Sequence, residues 1–242
     1  MPNKLHLEKD GFQKFKINLE NFKSLESLKL DIEKISLSKK NLNNIKKLEN
    51  IHQLDFENFN AYRLEVIKKM NNIKDIQKRF FTIFKDQLID LFGKDISVQK
   101  NINLVIQRPH DPLRANFHKD APPNSLHEIV VWLPLVDCHD TMCMYLFKKN
   151  KLDLINKSVQ NKKFNQDIFA KKHGTIFNIK FGEFIIFWTG AFHYIPINVE
   201  DDTRWSLNIR YKNTFSPYGK KSYLDYFEPI NYSTTTNLAT YR

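Results

Sequence analysis

Residues 182–211 read GEFIIFWTGAFHYIPINVEDDTRWSLNIRY. Two apolar bursts, EFIIFW and WSLNIRY, are short and rich in β-branched and aromatic residues, the texture of buried strands. The same texture extends upstream to Ile96, through ISVQKNINLVIQ, RANFH, EIVVWLPLV, MCMYLF and TIFNI, with YIPINV lying between the two bursts. Turn-formers punctuate these runs: ProHisAspPro at 109–112, AlaProProAsn at 121–124 and PheGlyGlu at 181–183. About eight short strands with few helices between them predict a sandwich, jelly roll or barrel. One segment interrupts the pattern. Residues 148–172, KKNKLDLINKSVQNKKFNQDIFAKK, are long, polar and basic. They read as a helical or loop insertion across one mouth of the β-structure, in the manner of lids and substrate loops.

Upstream of Ile96 the period changes. Phe56, Phe59, Leu64, Ile67 and Met70, then Ile76, Phe80, Ile83, Phe84, Leu88 and Leu91, recur at helical spacing over Phe56–Leu91. Gly93 marks a C-terminal stop. Leu19–Leu54 predicts one or two weaker helices broken near Ser36–Asn44. The expected organisation is a mostly helical region over 1–95, packing on a β core over 96–242.

A chain of 242 residues suits one large domain or two small ones. With 41% hydrophobic and 27% charged residues it is not broadly disordered. No apolar run reaches the roughly 18 residues needed to span a bilayer. The N-terminal MPNKLHLEKDGFQKF lacks the apolar stretch of a secretory signal. Cys138 and Cys143 are too few for a disulfide framework, so a reduced cytoplasmic protein is expected. The net charge of +11 raises the question of nucleic acid. Yet residues 1–100 carry 20 basic against 14 acidic side chains, and the remainder 18 against 13. This even spread, nearly all lysine amid abundant Asn, Ile and Phe, points to genome-wide compositional bias rather than to a nucleic-acid or membrane partner. The expected partner is a small molecule, and the oligomeric state stays open.

The chemistry starts at His118 and Asp120, in NFHKDAPP. On a strand, residues i and i+2 share a face, so this spacing offers an imidazole beside a carboxylate. Of the downstream histidines His127, His139, His173 and His193, only His193 follows a strand and a turn. Two histidines and one carboxylate would leave three metal positions open, which suits non-haem Fe(II) chemistry. Eleven residues after His193 comes Arg204, with Ser206 two further on. A guanidinium and a hydroxyl on one strand face form a carboxylate receptor. The alternative for Arg204 is an ion pair with Asp201 or Asp202 in the preceding turn. Arg210 shares the face of Arg204 and points to the substrate side or the rim. Asn198 and Asn208 are candidate contacts for a hydroxylated substrate, Gln107 is a candidate lining residue, and Trp132 reads as core or ligand platform. Cys138, Cys143 and the MetCysMet run at 142–144 read as core.

In its order of His118-x-Asp120, His193 and Arg204-x-Ser206, the chain resembles the Fe(II)/2-oxoglutarate-dependent oxygenases. The strings FHKDAPPNSLHEIVVWLPLVDC and TRWSLNIRY are similar to the phytanoyl-CoA hydroxylase-like branch, and within it to the small oxygenases of antibiotic-sugar and surface-carbohydrate gene clusters. The resemblance covers roughly residues 100–213. It implies a double-stranded β-helix, a cupin-like jelly roll preceded by the helical region. It implies His118, Asp120 and His193 as catalytic metal ligands for Fe(II), with Arg204 and Ser206 holding the far carboxylate of 2-oxoglutarate, and O2 as the other cosubstrate. It further implies oxidation, chiefly hydroxylation, of a sugar, aminocyclitol or nucleotide-sugar. The carboxylate of Asp120 favours this over halogenation. The basic insertion reads as a solvated lid face or, less simply, as an attractor for an anionic, phosphorylated or nucleotide-linked sugar. The sequence departs from the pattern at Tyr194, where relatives often carry Gly. That tyrosine would narrow the pocket, or the loop is built differently. The runner-up expectation is a carbohydrate-binding jelly-roll module that has lost its oxygenase activity.

Overall fold

The structure is a computed structural model that describes residues 3–37, 47–112, 116–221 and 223–240. In chain order it runs α1 (Asn3–Asp10), β1 (Phe12–Lys16), α2 (Leu19–Ser36), a 3-10 turn (Leu48–Gln53), α3 (Phe59–Asn71), α4 (Ile76–Phe92), β2 (Ile96–Gln99), β3 (Asn103–Gln107) and β4 (Glu128–Pro134). It continues with β5 (Tyr145–Leu146), α5 (Leu152–Val159), α6 (Gln166–His173), β6 (Glu183–Trp188), β7 (His193–Tyr194), β8 (Arg204–Asn213), α7 (Tyr223–Tyr226), β9 (Phe227–Asn231) and α8 (Thr234–Thr240). Among the described residues, no helix is long and apolar enough to cross a membrane.

The asparagine-rich composition has a local use. Asn18, Asn58 and Asn165 each cap a helix, their side-chain oxygens accepting from the backbone N–H of Asn21, Ala61 and Ile168. Gly93 ends α4 at φ +74°, its N–H bonded to the Ile89 carbonyl, as the sequence predicts. The helical pattern of Phe56–Leu91 is two helices rather than one, separated at residues 72–75, with Asp75 in the left-handed region. The expected break near Ser36–Asn44 begins where α2 ends at Ser36, and residues 38–46 lie outside those described. So does the start of the RANFH run.

Seven strands form one antiparallel sheet in the order β1-β6-β4-β8-β2-β9, with β3 pairing the other half of the β8 edge that β2 occupies. The register sorts β4, β6 and β8 into two faces. Ile129, Val131 and Leu133 align with Tyr211, Ile209 and Leu207, and this face meets the helices. Phe84 of α4 lies 4.9 Å, centroid to centroid, from Phe184 of β6. The opposite face carries Val130, Trp132 and Pro134 beside Arg210, Asn208 and Ser206. Both faces are covered, so β4 (EIVVWLP) and β6 (EFIIFW) read as nearly continuous apolar runs, whereas β8 (RWSLNIRYKN) alternates, apolar toward the helices and polar toward the inward face.

Two strands escaped the sequence reading. β1, FQKFK, sits inside the region expected to be helical, yet pairs with β6 from Phe12↔Phe187 to Lys16↔Glu183. β9, FEPIN, follows the last predicted strand and pairs with β2. Both are edge strands. Their lysines and proline blunt an open edge and also dilute the apolar signal. Conversely, TIFNI forms only isolated bridges, Thr175 with Leu146 and Ile179 with Cys138. A second, two-stranded sheet pairs β5 with β7, and an antiparallel bridge joins His193 to His118. The 148–172 insertion forms α5 and α6, which close over a separate aromatic cluster beside this small sheet.

Candidate active site

The inward face of the large sheet and the small sheet enclose a cavity of about 160 Å³. Val105, Val130, Met144, Phe187 and Ile195 supply apolar walls, while His118, Asp120, His193, Asn208 and Arg210 supply the polar groups. Three segments therefore deliver the polar side chains: the His118–Asp120 turn, β7 and β8.

His118 and His193 are held face to face by backbone pairing. The His118 N–H donates to the His193 carbonyl at 3.1 Å and the His193 N–H returns to His118 at 2.8 Å. Their ring centroids are 4.2 Å apart. Each imidazole is oriented by the carbonyl two residues earlier: His118 Nδ1 lies 2.5 Å from the Asn116 oxygen and His193 Nδ1 lies 3.2 Å from that of Ala191. A carbonyl only accepts, so Nδ1 carries a proton in both rings, which leaves Nε2 as the nitrogen free to face a metal. Burial, with the neighbouring His118, pushes the His193 pKa down to about 4, so this ring is neutral and ready to ligate at pH 7.

Asp120 completes the group. Its Oδ1 lies 3.8 Å from His118 Nε2, and ligand atoms from all three residues fall within 4.8 Å of one another. Its Oδ2 accepts from Arg210 Nη2 at 2.7 Å. Burial pushes the Asp120 pKa up, but the Arg210 cation and the two imidazoles outweigh it and hold the carboxyl below its ordinary range. The carboxylate thus stays ionised with one oxygen tied and the other turned to the histidines. Neutral imidazole nitrogens and one carboxylate oxygen are a donor set suited to a divalent first-row metal.

Further along the same face, Arg204 and Ser206 are buried, at 1% and 0% exposure. Arg204 Nη1 donates to the Met142 carbonyl at 3.4 Å, while Arg204 Nε and Ser206 Oγ have no hydrogen-bond partner among the described residues. No ion pair joins Arg204 to Asp201 or Asp202 among the described residues, so the structural alternative for this arginine is not what the chain builds. Cys138 and Cys143 are its ionisable neighbours, and burial pushes both thiols up, Cys143 to about 12. They stay neutral and supply no counter-charge. A fully buried guanidinium without an anion is costly. Beside an unpartnered hydroxyl, it fits a carboxylate that arrives with a ligand.

Of the five residues the sequence offered as substrate contacts, Arg210 and Asn208 line the cavity, and Arg210 is engaged there: Nη2 donates to Asp120, and Nη1 donates to Gln99 Oε1 and to the Tyr226 hydroxyl. Asn198 is buried inside its own turn, donating to the Asp202 and Gln107 carbonyls and accepting from the Glu200 N–H. Gln107 faces Arg204 across the β3–β8 pairing and donates to the Pro196 carbonyl at 3.0 Å. Trp132 is a 1% exposed core side chain between Asn208 and Ile185. Tyr194 does not narrow the cavity. Following His193 on a strand, it turns to the opposite side, where its hydroxyl donates to Asp167 Oδ1 at 2.5 Å. Gln99 and Tyr226, which grip Arg210, were invisible in the sequence. One lies at the end of a short strand and the other leads into the unforeseen β9.

A second group, His139, Asp140 and Glu200, also brings ligand atoms together. It contributes nothing to the cavity, and the Asp140 side chain is 71% exposed. His139 pairs with both acids, and Glu200 Oε1 accepts from Thr141 N and Oγ1, so surface hydrogen bonding accounts for it.

The chain matches no protein-family model and no curated protein. Solved structures do match. The non-heme monooxygenase ThoJ in its apo form is 17% identical with a TM-score of 0.56, over 96% of this chain and 84% of that one. HygX from Streptomyces hygroscopicus, solved with nickel and 2-oxoglutarate bound, is 8% identical with a TM-score of 0.55, over 88% and 87%. The non-heme alpha ketoglutarate dependent epimerase SnoN from nogalamycin biosynthesis is 10% identical with a TM-score of 0.51, over 89% and 83%. At these identities the likeness establishes the fold: a mainly antiparallel sheet with helices, of the kind used by non-heme oxygenases. The residue-level argument rests on this chain's own geometry.

Proposed function

We propose that this protein is an Fe(II)- and 2-oxoglutarate-dependent oxygenase that hydroxylates a small polar substrate of the sugar, aminocyclitol or nucleotide-sugar class. The observation that carries the reading is the pairing of two features on one inward surface. One is a His118–Asp120–His193 group with its donor atoms pre-set. The other is a buried Arg204–Ser206 pair with unpartnered polar atoms. A metal alone would explain the first, and only an anionic co-ligand explains the second. The large sheet and the β5–β7 sheet would then be the two walls of a double-stranded β-helix. HygX, with nickel and 2-oxoglutarate bound, and SnoN, named for its alpha-ketoglutarate dependence, share this fold and support the assignment.

In this reading His118 Nε2, His193 Nε2 and one oxygen of Asp120 hold Fe(II), with Arg204 and Ser206 binding the far carboxylate of 2-oxoglutarate. Bound iron and 2-oxoglutarate supply the oxidising power from O2. The chain's own work is to orient. The Asn116 and Ala191 carbonyls fix the imidazole tautomers, Arg210 keeps the second Asp120 oxygen off the metal, and the apolar walls exclude water. The direct test is succinate release from 2-oxoglutarate in the presence of Fe(II) and O2, screened across sugars, aminocyclitols and nucleotide-sugars. Stimulation by one class names the substrate. A folded protein that binds neither Fe(II) nor 2-oxoglutarate would favour the carbohydrate-binding module instead.

Arg210 has its own test. Arg210→Met should weaken Mn(II) or Co(II) binding about tenfold, the usual cost of losing a group that orients a ligand. Unchanged metal affinity with a raised substrate KM would place Arg210 on the substrate side instead.

A further inference from the structure

The insertion and the residues flanking both histidines share one packed cluster. Phe117 precedes His118, Phe192 precedes His193 and Tyr194 follows it. None of the three lines the cavity. They pack instead with Phe147, Ile155, Phe169 and Ala170. The Phe117 ring centroid lies 4.9 Å from Phe147, 5.1 Å from Phe192 and 5.8 Å from Phe169. Two polar contacts fasten the same segments to the first turn of α6. Gln166 Oε1 accepts from the Phe117 N–H at 2.7 Å, and Asp167 Oδ1 accepts from the Tyr194 hydroxyl. One helical turn thus grips the chain immediately beside each histidine.

This arrangement answers a mechanical need. β7 is two residues long and His118 enters only a single bridge, so neither histidine sits on an element long enough to fix itself. A group that must bind metal in one geometry needs support behind it. The insertion also lacks the character of a lid. Ile155 and Ala170 are fully buried and Phe169 is 9% exposed, whereas segments that open have few buried apolar contacts.

We infer that the α5–α6 insertion is a fixed brace for the metal site, with Gln166, Asp167 and Tyr194 as positioning residues that set His118 and His193 relative to each other. The inference rests on the reading of that site as a metal centre.

The test uses the full chain with Ni(II) calorimetry and the visible spectrum of bound Co(II), which reports coordination geometry, with a thermal melt beside each. Gln166→Ala combined with Tyr194→Phe removes both polar ties and keeps every ring. The expected result is a cooperative melt, about tenfold weaker Ni(II) binding and a changed Co(II) spectrum. Tyr194→Phe alone should give a smaller change of the same sign, and it carries the test if the double variant fails to fold. Lys162→Ala with Lys163→Ala, on the same insertion but outside these contacts, should leave both readouts at wild-type values. Wild-type Ni(II) affinity and spectrum in folded Tyr194→Phe and double variants would overturn the brace while leaving the metal site standing. A wild-type chain that binds no metal would overturn the site reading itself.

Discussion

Arg204→Met is expected to abolish 2-oxoglutarate binding while making the ligand-free protein more stable. Arg204 is 1% exposed and has one long hydrogen bond, to Met142, and no counter-ion among the described residues. Methionine fills the space of the arginine stem as far as Nε and removes the buried charge together with the Nε that has no partner among the described residues. Replacing buried charge by a well-packed apolar side chain gains on the order of 1–4 kcal/mol. For a chain of this size that corresponds to a rise in Tm of roughly 2–4 °C per kcal/mol. The opposite signs make the prediction sharp. Calorimetry with 2-oxoglutarate in the presence of Mn(II), and a melt of the free protein, decide it. A destabilised variant that still binds 2-oxoglutarate would mean that Arg204 is a structural residue.

Asp120→Ala is expected to cost both metal and stability, by separable routes. Losing the carboxylate removes one of three ligands, and Mn(II) or Ni(II) binding should fall below detection along with succinate release. It also strands Arg210, whose side chain is 10% exposed and whose partner lay at 2.7 Å. Removing one member of such a pair costs roughly 3–5 kcal/mol. Adding Arg210→Met should restore most of that stability and none of the metal binding. His193→Ala, in contrast, removes a neutral ring and should abolish metal binding with only a packing cost. Retained metal affinity in either ligand variant would contradict the three-residue site.

What the sequence made legible follows from how local each signal is. The Arg204–Ser206 spacing needs only the two-residue period of a strand, and β8 places both inward; His118 and Asp120 also meet at the cavity, but from a turn rather than from the strand their spacing suggested. β4, β6 and β8 were readable because both of their faces are buried. The edge strands β1 and β9 were not, since solvent-facing lysines and a proline erase the pattern. The role of Arg210 depends on a contact across 90 residues of sequence, and its further partners, Gln99 and Tyr226, lie at the end of a short strand and on a four-residue helix. Asn198 looked available because a polar residue near a histidine suggests contact. Its amide is instead spent closing its own turn. Tyr194, which the resemblance led one to expect in the pocket, does not line the cavity, because the insertion gives its ring and hydroxyl a place on the far side of β7.

The central claim is that the inward face of the large sheet carries both a three-residue metal site, in the cavity, and, further along β8, a receptor for the 2-oxoglutarate carboxylate. An anaerobic titration tests both halves at once. Fe(II) and then 2-oxoglutarate are added to metal-free protein while the visible spectrum is recorded. The account predicts the charge-transfer band of the iron–2-oxoglutarate chelate in the wild type, saturating with 2-oxoglutarate, and no band in Asp120→Ala or Arg204→Met. A folded wild-type protein that gives no band would contradict it.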